Sequence, residues 1–251
     1  MTKTEKVHFL NTEIHNLSLK ETLSSISKAI SENRQIHHVV VNAAKVVQMQ
    51  DDLTLRQSVN TCDLINADGQ AVVWASRFLG KPLKERVTGI DLMYKLVQLA
   101  AQKKYQVYFL GAKEHIVQSV VTIFENQFGK SIVAGYRNGY FTEEEQVHIA
   151  QEIASSGAHI LFVAISSPTK ENFLFKYRDI LKSVNFIMGV GGSFDVVAGK
   201  TKRAPLWMQK SGLEWLYRLI QEPKRMWKRY LIGNAKFIFL VLQEKWRFRN
   251  N

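Results

Sequence analysis

The sequence predicts an α/β protein: a mainly parallel sheet with helices on both faces, followed by a basic helical C-terminal appendage. Two observations carry that prediction. Six short runs rich in β-branched and aromatic residues begin at residues 37, 63, 105, 131, 158 and 185, and four of the five intervals between them are 26 or 27 residues. Such an interval holds one strand, one helix and two turns, the unit from which parallel sheets are built. Segments between the runs repeat apolar residues at i, i+3, i+4 and i+7, the period of a helix that buries one face.

Taken in order, "VHFLNTEIHNL" reads as a short strand pair and "SLKETLSSISKAISEN" as the first helix. "HHVVVNA" and "DLINAD" are the first two sheet strands. "TGIDLMYKLVQLAAQKK" is a helix opened by Thr88, and "YQVYFLG" and "SIVAGYRN" are the next two strands. "TEEEQVHIAQEIASSG" is a helix with acidic residues at its start and glycine at its end, and "AHILFVAIS" and "NFIMGVGG" complete the sheet. Beyond them Pro223 starts a new helix.

A chain of 251 residues, 46% hydrophobic and 22% charged, can bury one substantial core with a small part beside it. The division expected is residues 1–195 for the sheet domain and 196–251 for the appendage. The N-terminus has no apolar stretch of signal-peptide length and no apolar run reaches spanning length, which points to the cytoplasm and against a spanning helix. Cys62 stands alone, so it is read as a buried free thiol, and the seven histidines form no H-x-x-x-H pattern, so no metal site is expected.

The charge is placed unevenly. Residues 196–251 hold 13 Lys/Arg and 3 Asp/Glu, a net +10, against 21 and 19 in residues 1–195. The same segment has four of the five tryptophans. Cations interleaved with Trp suit an anionic, partly apolar surface such as a phospholipid interface. Arg218, Arg225, Arg229 and Lys236 are spaced to fall near one helical stripe, interrupted by Pro223.

In a parallel sheet, ligands collect outside the carboxyl ends of the strands. The residues there are Asn42, Asp68 with Gly69, Gly111, the loop of Tyr140, Ser166 with Ser167, and the loop from Gly189 to Asp195 with Gly191 and Gly192. Asp68 suits either a helix cap or a general base, and each glycine suits either a turn or a close backbone approach to phosphate. No G-x-G-x-x-G, no P-loop and no D-x-D occurs, which argues against a nicotinamide or S-adenosylmethionine enzyme and against a metal-held diphosphate. A basic nucleic-acid-binding protein remains the other reading, although no helix-turn-helix, RNA-recognition or zinc pattern is visible.

"ADGQAVVWASRFLGKPLKERVTGIDL", "GYRNGYF" and "GVGGSFDVVAGKTKRAPLWMQKSGLEWLYRLIQEPKR" resemble the signature blocks of the WecG/TagA/CpsF glycosyltransferases, glycosyltransferase family 26. The resemblance spans about residues 7–230 and implies a Rossmann-like catalytic core with a basic appendage. It implies an inverting, metal-independent transfer of a hexose or N-acetylhexosamine, such as N-acetylmannosamine, from a UDP-sugar to a polyprenyl-diphosphate-linked saccharide. The sugar nucleotide is then a substrate, no cofactor is required, and the enzyme sits on the inner face of a bacterial membrane in cell-surface polysaccharide synthesis. A homo-oligomer is left open, and no nucleic acid is expected. By the same resemblance Asp68 is the base and Asn42 its catalytic neighbour. The resemblance also sets Tyr140, Gly191, Gly192 and Asp195 against the uridine and diphosphate, and Gly69, Gly111, Ser166, Lys170, Arg203, Arg218 and Arg225 are the further substrate contacts expected from the strand ends and the basic segment. The chain departs from the family pattern at Val40 and Val41, where that pattern has Thr-Pro, and at Ser166 and Lys170, where it has Gly and Gln.

Overall fold

A computed structural model describes residues 5–250, apart from the side chains of 225, 229 and 248–250. A six-stranded sheet has the order β4-β3-β8-β7-β5-β6, with β3 Ile36–Val41, β4 Leu64–Ala67, β5 Val107–Gly111, β6 Val133–Arg137, β7 Ile160–Ala164 and β8 Phe186–Gly189. Every pairing in it is parallel. All six predicted strands are present. β1 (Lys6–Phe9) and β2 (Thr12–His15) form the expected antiparallel pair beside it.

Strand side chains alternate between two cores. From β5, Val107 and Phe109 enter one core, with Leu96 and Val97 of α5 (Gly89–Lys103) and Val117, Val120 and Phe124 of α6 (Glu114–Phe128). Tyr108 and Leu110 point the other way, toward Ile149 and Ile153 of α7 (Gln146–Ser155) and Phe173 of α8 (Thr169–Lys176). Central β5 and β7 are buried along their whole length, whereas edge strand β6 is partly exposed, as expected when helices cover both faces. A third cluster on the second face joins Val39 and Val41 to α2 (Ala43–Asp51), α3 (Leu53–Asn60) and α4 (Gln70–Phe78).

The one long interval, from residue 63 to 105, is explained by the strand order. It leaves edge strand β4, crosses past β3, β8 and β7 to reach β5, and exchanges faces on the way, with α4 in one core and α5 in the other. The first helix, α1 (Leu19–Ser31), starts with a capping box in which the Ser18 side chain accepts from Glu21 N–H and the Glu21 carboxylate accepts from Ser18 N–H.

Four helices follow the sheet after α9 (Ser193–Val197): α10 (Leu206–Lys210), α11 (Glu214–Gln221), α12 (Pro223–Trp227) and α13 (Gly233–Asn250). The boundary read at residue 195 falls inside α9, whose Phe194 is buried in the main core. Pro223 opens α12 as predicted. Of the cations read as a stripe, Arg218 lies on α11 and Lys236 on α13, with a π-helical turn, Lys228–Ile232, between them, while the side chains of Arg225 and Arg229 lie outside the described ones. α13 returns to the domain, burying Phe237 and Val241 in the cluster beneath α2, with Phe237 and Phe9 rings 6.2 Å apart.

Candidate active site

The carboxyl ends of the strands form one row, and β5 beside β7 is a point where successive connections run in opposite directions, the kind of place where parallel sheets receive ligands. Gly111 ends β5 there. With φ of +126°, it lies where a Cβ would come within 2.6 Å of the Ala164 backbone. Its glycine is thus required by the approach of two strands. Gly69 likewise abuts Asn42, its missing Cβ 3.3 Å from the Asn42 Cβ. Asn42 caps α2, its Oδ1 accepting from Lys45 N–H at 3.1 Å.

Asp68 ends β4 and does not cap the helix that follows; Gly69 holds that position. Its Oδ1 instead accepts from the N–H of Gly89 at 3.3 Å, in the first turn of α5, a helix whose positive end favours a carboxylate. Burial nevertheless dominates and pushes the Asp68 carboxyl from 3.8 to about 6, against the attraction of Arg218 and Arg86 and aided by repulsion from Glu214. A carboxylate tuned to this range is ionised at neutral pH yet basic enough to accept a proton.

Three arginines surround it. Arg203 grips Asp91 of α5 with two parallel bonds, Nη1–Oδ1 at 2.6 Å and Nη2–Oδ2 at 2.8 Å, while its buried Nε has no hydrogen-bond partner. Arg86, from the loop before α5, donates to Glu214 of α11 at 3.1 Å, and Arg218 lies 3.8 Å from the same carboxylate. α11 thereby places Arg218 and Glu214 over the end of β4. Arg203 and Arg218 were readable from the sequence; Arg86, Asp91 and Glu214 were not. Their pairing joins residues 112 and 128 positions apart, and local pattern carries no trace of such contacts. Arg225 lies on α12, and its side chain is outside the described ones.

The remaining candidates spread along the row. Gly191, with φ of +53°, turns the loop after β8, and both it and Gly192 face open space. Asp195 pairs with Lys200 at 2.9 Å. Ser166 is exposed after β7. Tyr140 is 70% exposed, on a loop that Gly139 N–H folds back onto Ala112 C=O at 2.9 Å. Tyr140 and Asp68 stand at opposite ends of the row.

Lys170 does not join them. It is only 6% exposed, lies across Gly189, and pairs with Glu171, which also takes Lys45 at 2.8 Å. Burial and the neighbouring Lys45 lower its ammonium to about 8. A small cavity on this face is lined by His37, His38, Cys62, Lys170 and Glu171. Cys62 is free, as expected, and partly rather than fully buried; loss of solvation pushes its thiol up to about 12, so it is inert at neutral pH.

The profile of the Glycosyl transferase WecG/TagA/CpsF family matches residues 7–251. An N-acetylglucosaminyldiphosphoundecaprenol N-acetyl-beta-D-mannosaminyltransferase of Bacillus spizizenii strain W23 is 37% identical over 187 residues, 74% of this chain and 71% of that protein. The protein of the same name from Bacillus subtilis strain 168 is 36% identical over 188 residues, with the same shares covered. With the parallel sheet, the acid at the end of β4 and a match over nearly its whole length, the chain belongs to the WecG/TagA/CpsF family of glycosyltransferases.

Proposed function

We propose that this glycosyltransferase moves N-acetylmannosamine from its UDP-linked form to a hydroxyl of N-acetylglucosamine carried on polyprenyl diphosphate, with inversion. The observation that carries this reading is Asp68, a part-buried carboxylate held near pKa 6 within reach of the fields of Arg86 and Arg218. In the reaction the acceptor oxygen attacks the anomeric carbon as Asp68 takes its proton. The bond from that carbon to the diphosphate breaks, and its electron pair leaves with UDP. Charge developing on the leaving oxygen needs preorganised donors, and the arginines supply them, so no metal cofactor is invoked. The loop of Gly191 and Gly192 and the side chains of Asp195 and Tyr140 are assigned to the nucleotide, toward the other end of the row.

The acceptor's lipid lies in a bilayer, and among the described residues no helix is long and apolar enough to cross one. The appendage instead exposes Trp207, Ile238, Leu242 and Trp246, each more than half accessible. These side chains and their neighbouring cations are assigned to an anionic membrane surface, placing the enzyme at the inner face of the cell membrane. The test is UDP release from a panel of UDP-sugars with a synthetic prenyl-diphosphate N-acetylglucosamine acceptor. Acceptor-dependent release from UDP-N-acetylmannosamine that persists in EDTA is expected. Release that requires another donor, or that EDTA abolishes, overturns the donor or the metal-free assignment respectively.

A further inference from the structure

Glu214 occupies the site without a role in the chemistry above. Its side chain is 14% exposed, and it engages two arginines at once, Arg86 at 3.1 Å and Arg218 at 3.8 Å. Among the described side chains around the end of β4, three carboxylates, Asp68, Asp91 and Glu214, meet three guanidinium groups, Arg86, Arg203 and Arg218. The formal charges cancel. A diphosphate arriving with several negative charges thus meets a cluster whose cations are already taken, and it gains little unless one carboxylate gives way.

The two paired carboxylates differ in how firmly they are held. Asp91 makes a bidentate pair with Arg203 at 2.6 and 2.8 Å, the strong form of this contact. Glu214 spreads its two oxygens over two arginines, one at the edge of ion-pair distance, and Arg218 is 39% exposed. Arg86 is only 15% exposed, and a guanidinium so placed is costly to leave unpaired when no substrate is bound. Carboxylate and phosphate each present a pair of oxygens that a guanidinium fork takes in two parallel bonds, so one can replace the other.

We propose that Glu214 is a displaceable stand-in for substrate diphosphate, pairing Arg86 and Arg218 in the free enzyme and yielding them when a diphosphate binds. The inference rests on the glycosyl-transfer reading above and deepens it by naming the residue that sets diphosphate affinity. Because Glu214 lies in the first turn of α11, its release also frees that end of the helix to resettle on the substrate.

Calorimetric titration of the full chain and of Glu214→Gln with UDP, UMP, inorganic pyrophosphate and a short prenyl diphosphate in detergent tests this. The variant is expected to bind diphosphates about 10-fold more tightly, the scale of one weak charged pair, with UMP changed far less. Structural damage would move affinity the other way. Tightening for UDP assigns the subsite to the donor, and tightening for the prenyl diphosphate alone assigns it to the acceptor. Glu214→Asp, too short to reach both arginines, is expected to shift affinity in the same direction by less, and serves if the first variant fails to fold. Unchanged or weaker diphosphate binding by a folded variant overturns the inference while leaving the enzymatic reading intact. A wild-type chain that binds neither UDP nor the prenyl diphosphate overturns both.

Discussion

The cost of a useful acid is visible at Asp68. Its carboxyl is raised from 3.8 to about 6, chiefly by burial, so the native state keeps a proton that the unfolded chain has released. Between those two values the native state binds more protons, and stability falls as pH rises through the window. Above it, the ionised side chain costs about 3 kcal/mol. Asp68→Asn removes that cost and the base together. Chemical denaturation at pH 8 is expected to show the variant at least as stable as the parent. Turnover is expected to fall about 10²- to 10⁴-fold. The parent's kcat/KM is expected to decline below about pH 6, where the base is protonated, and the variant's residual rate to lack that limb. A variant that keeps near-parental turnover removes Asp68 from the base role.

At the scale of elements, β8 and α8 are fitted through one glycine. A Cβ at Gly189 would lie 2.2 Å from Cε of Lys170, whose ammonium is committed to Glu171 and whose stem crosses that position. Gly189→Ala must therefore push Lys170 out of a buried ion pair, and is expected to destabilise the fold by about 1–3 kcal/mol. In a Lys170→Ala background the same glycine change meets no other atom closer than 3.2 Å and is expected to cost much less. Denaturation of the four proteins closes the cycle, and simple additivity would show that Gly189 is not there for Lys170. This pairing also shows where sequence reading stopped. Strands and helices were legible because each is announced within a dozen residues: a continuous apolar run in β5, a capping residue at Thr88, an apolar period in α5. So was the row of strand ends, since topology alone collects Asn42, Asp68 and the Gly189–Asp195 loop at one edge. Which way Lys170 turns was not legible. Its pattern marks a loop at a strand end, whereas the decision belongs to Glu171, Lys45 and the missing side chain of Gly189, contributed by three different elements.

For the molecule as a whole, the appendage presents two different faces side by side. On α13, Phe237 and Val241 are buried against α2 and Phe9, while Ile238, Leu242 and Trp246, spaced four residues apart, form an outward stripe more than half exposed. An apolar stripe facing water next to a strongly cationic segment suits a surface that is both oily and negative, the membrane contact proposed above. Deleting residues 231–251 would confuse the two faces, because it also opens the core. Replacing Ile238, Leu242 and Trp246 with Ser leaves Phe237 and Val241 in place, so melting is expected to change little. Each large apolar side chain contributes about 1.5–3 kcal/mol when fully buried, and a part of that at an interface. The triple variant is therefore expected to sediment with anionic vesicles at least 10-fold less well, at low and at physiological salt alike. Reversing surface cations instead should weaken binding mainly at low salt, since screening already attenuates their contribution at higher ionic strength. Vesicle binding that survives the triple change would mean that α13 does not carry the membrane contact, and would turn the stripe toward a second copy of the chain, which equilibrium sedimentation in the absence of lipid would then detect.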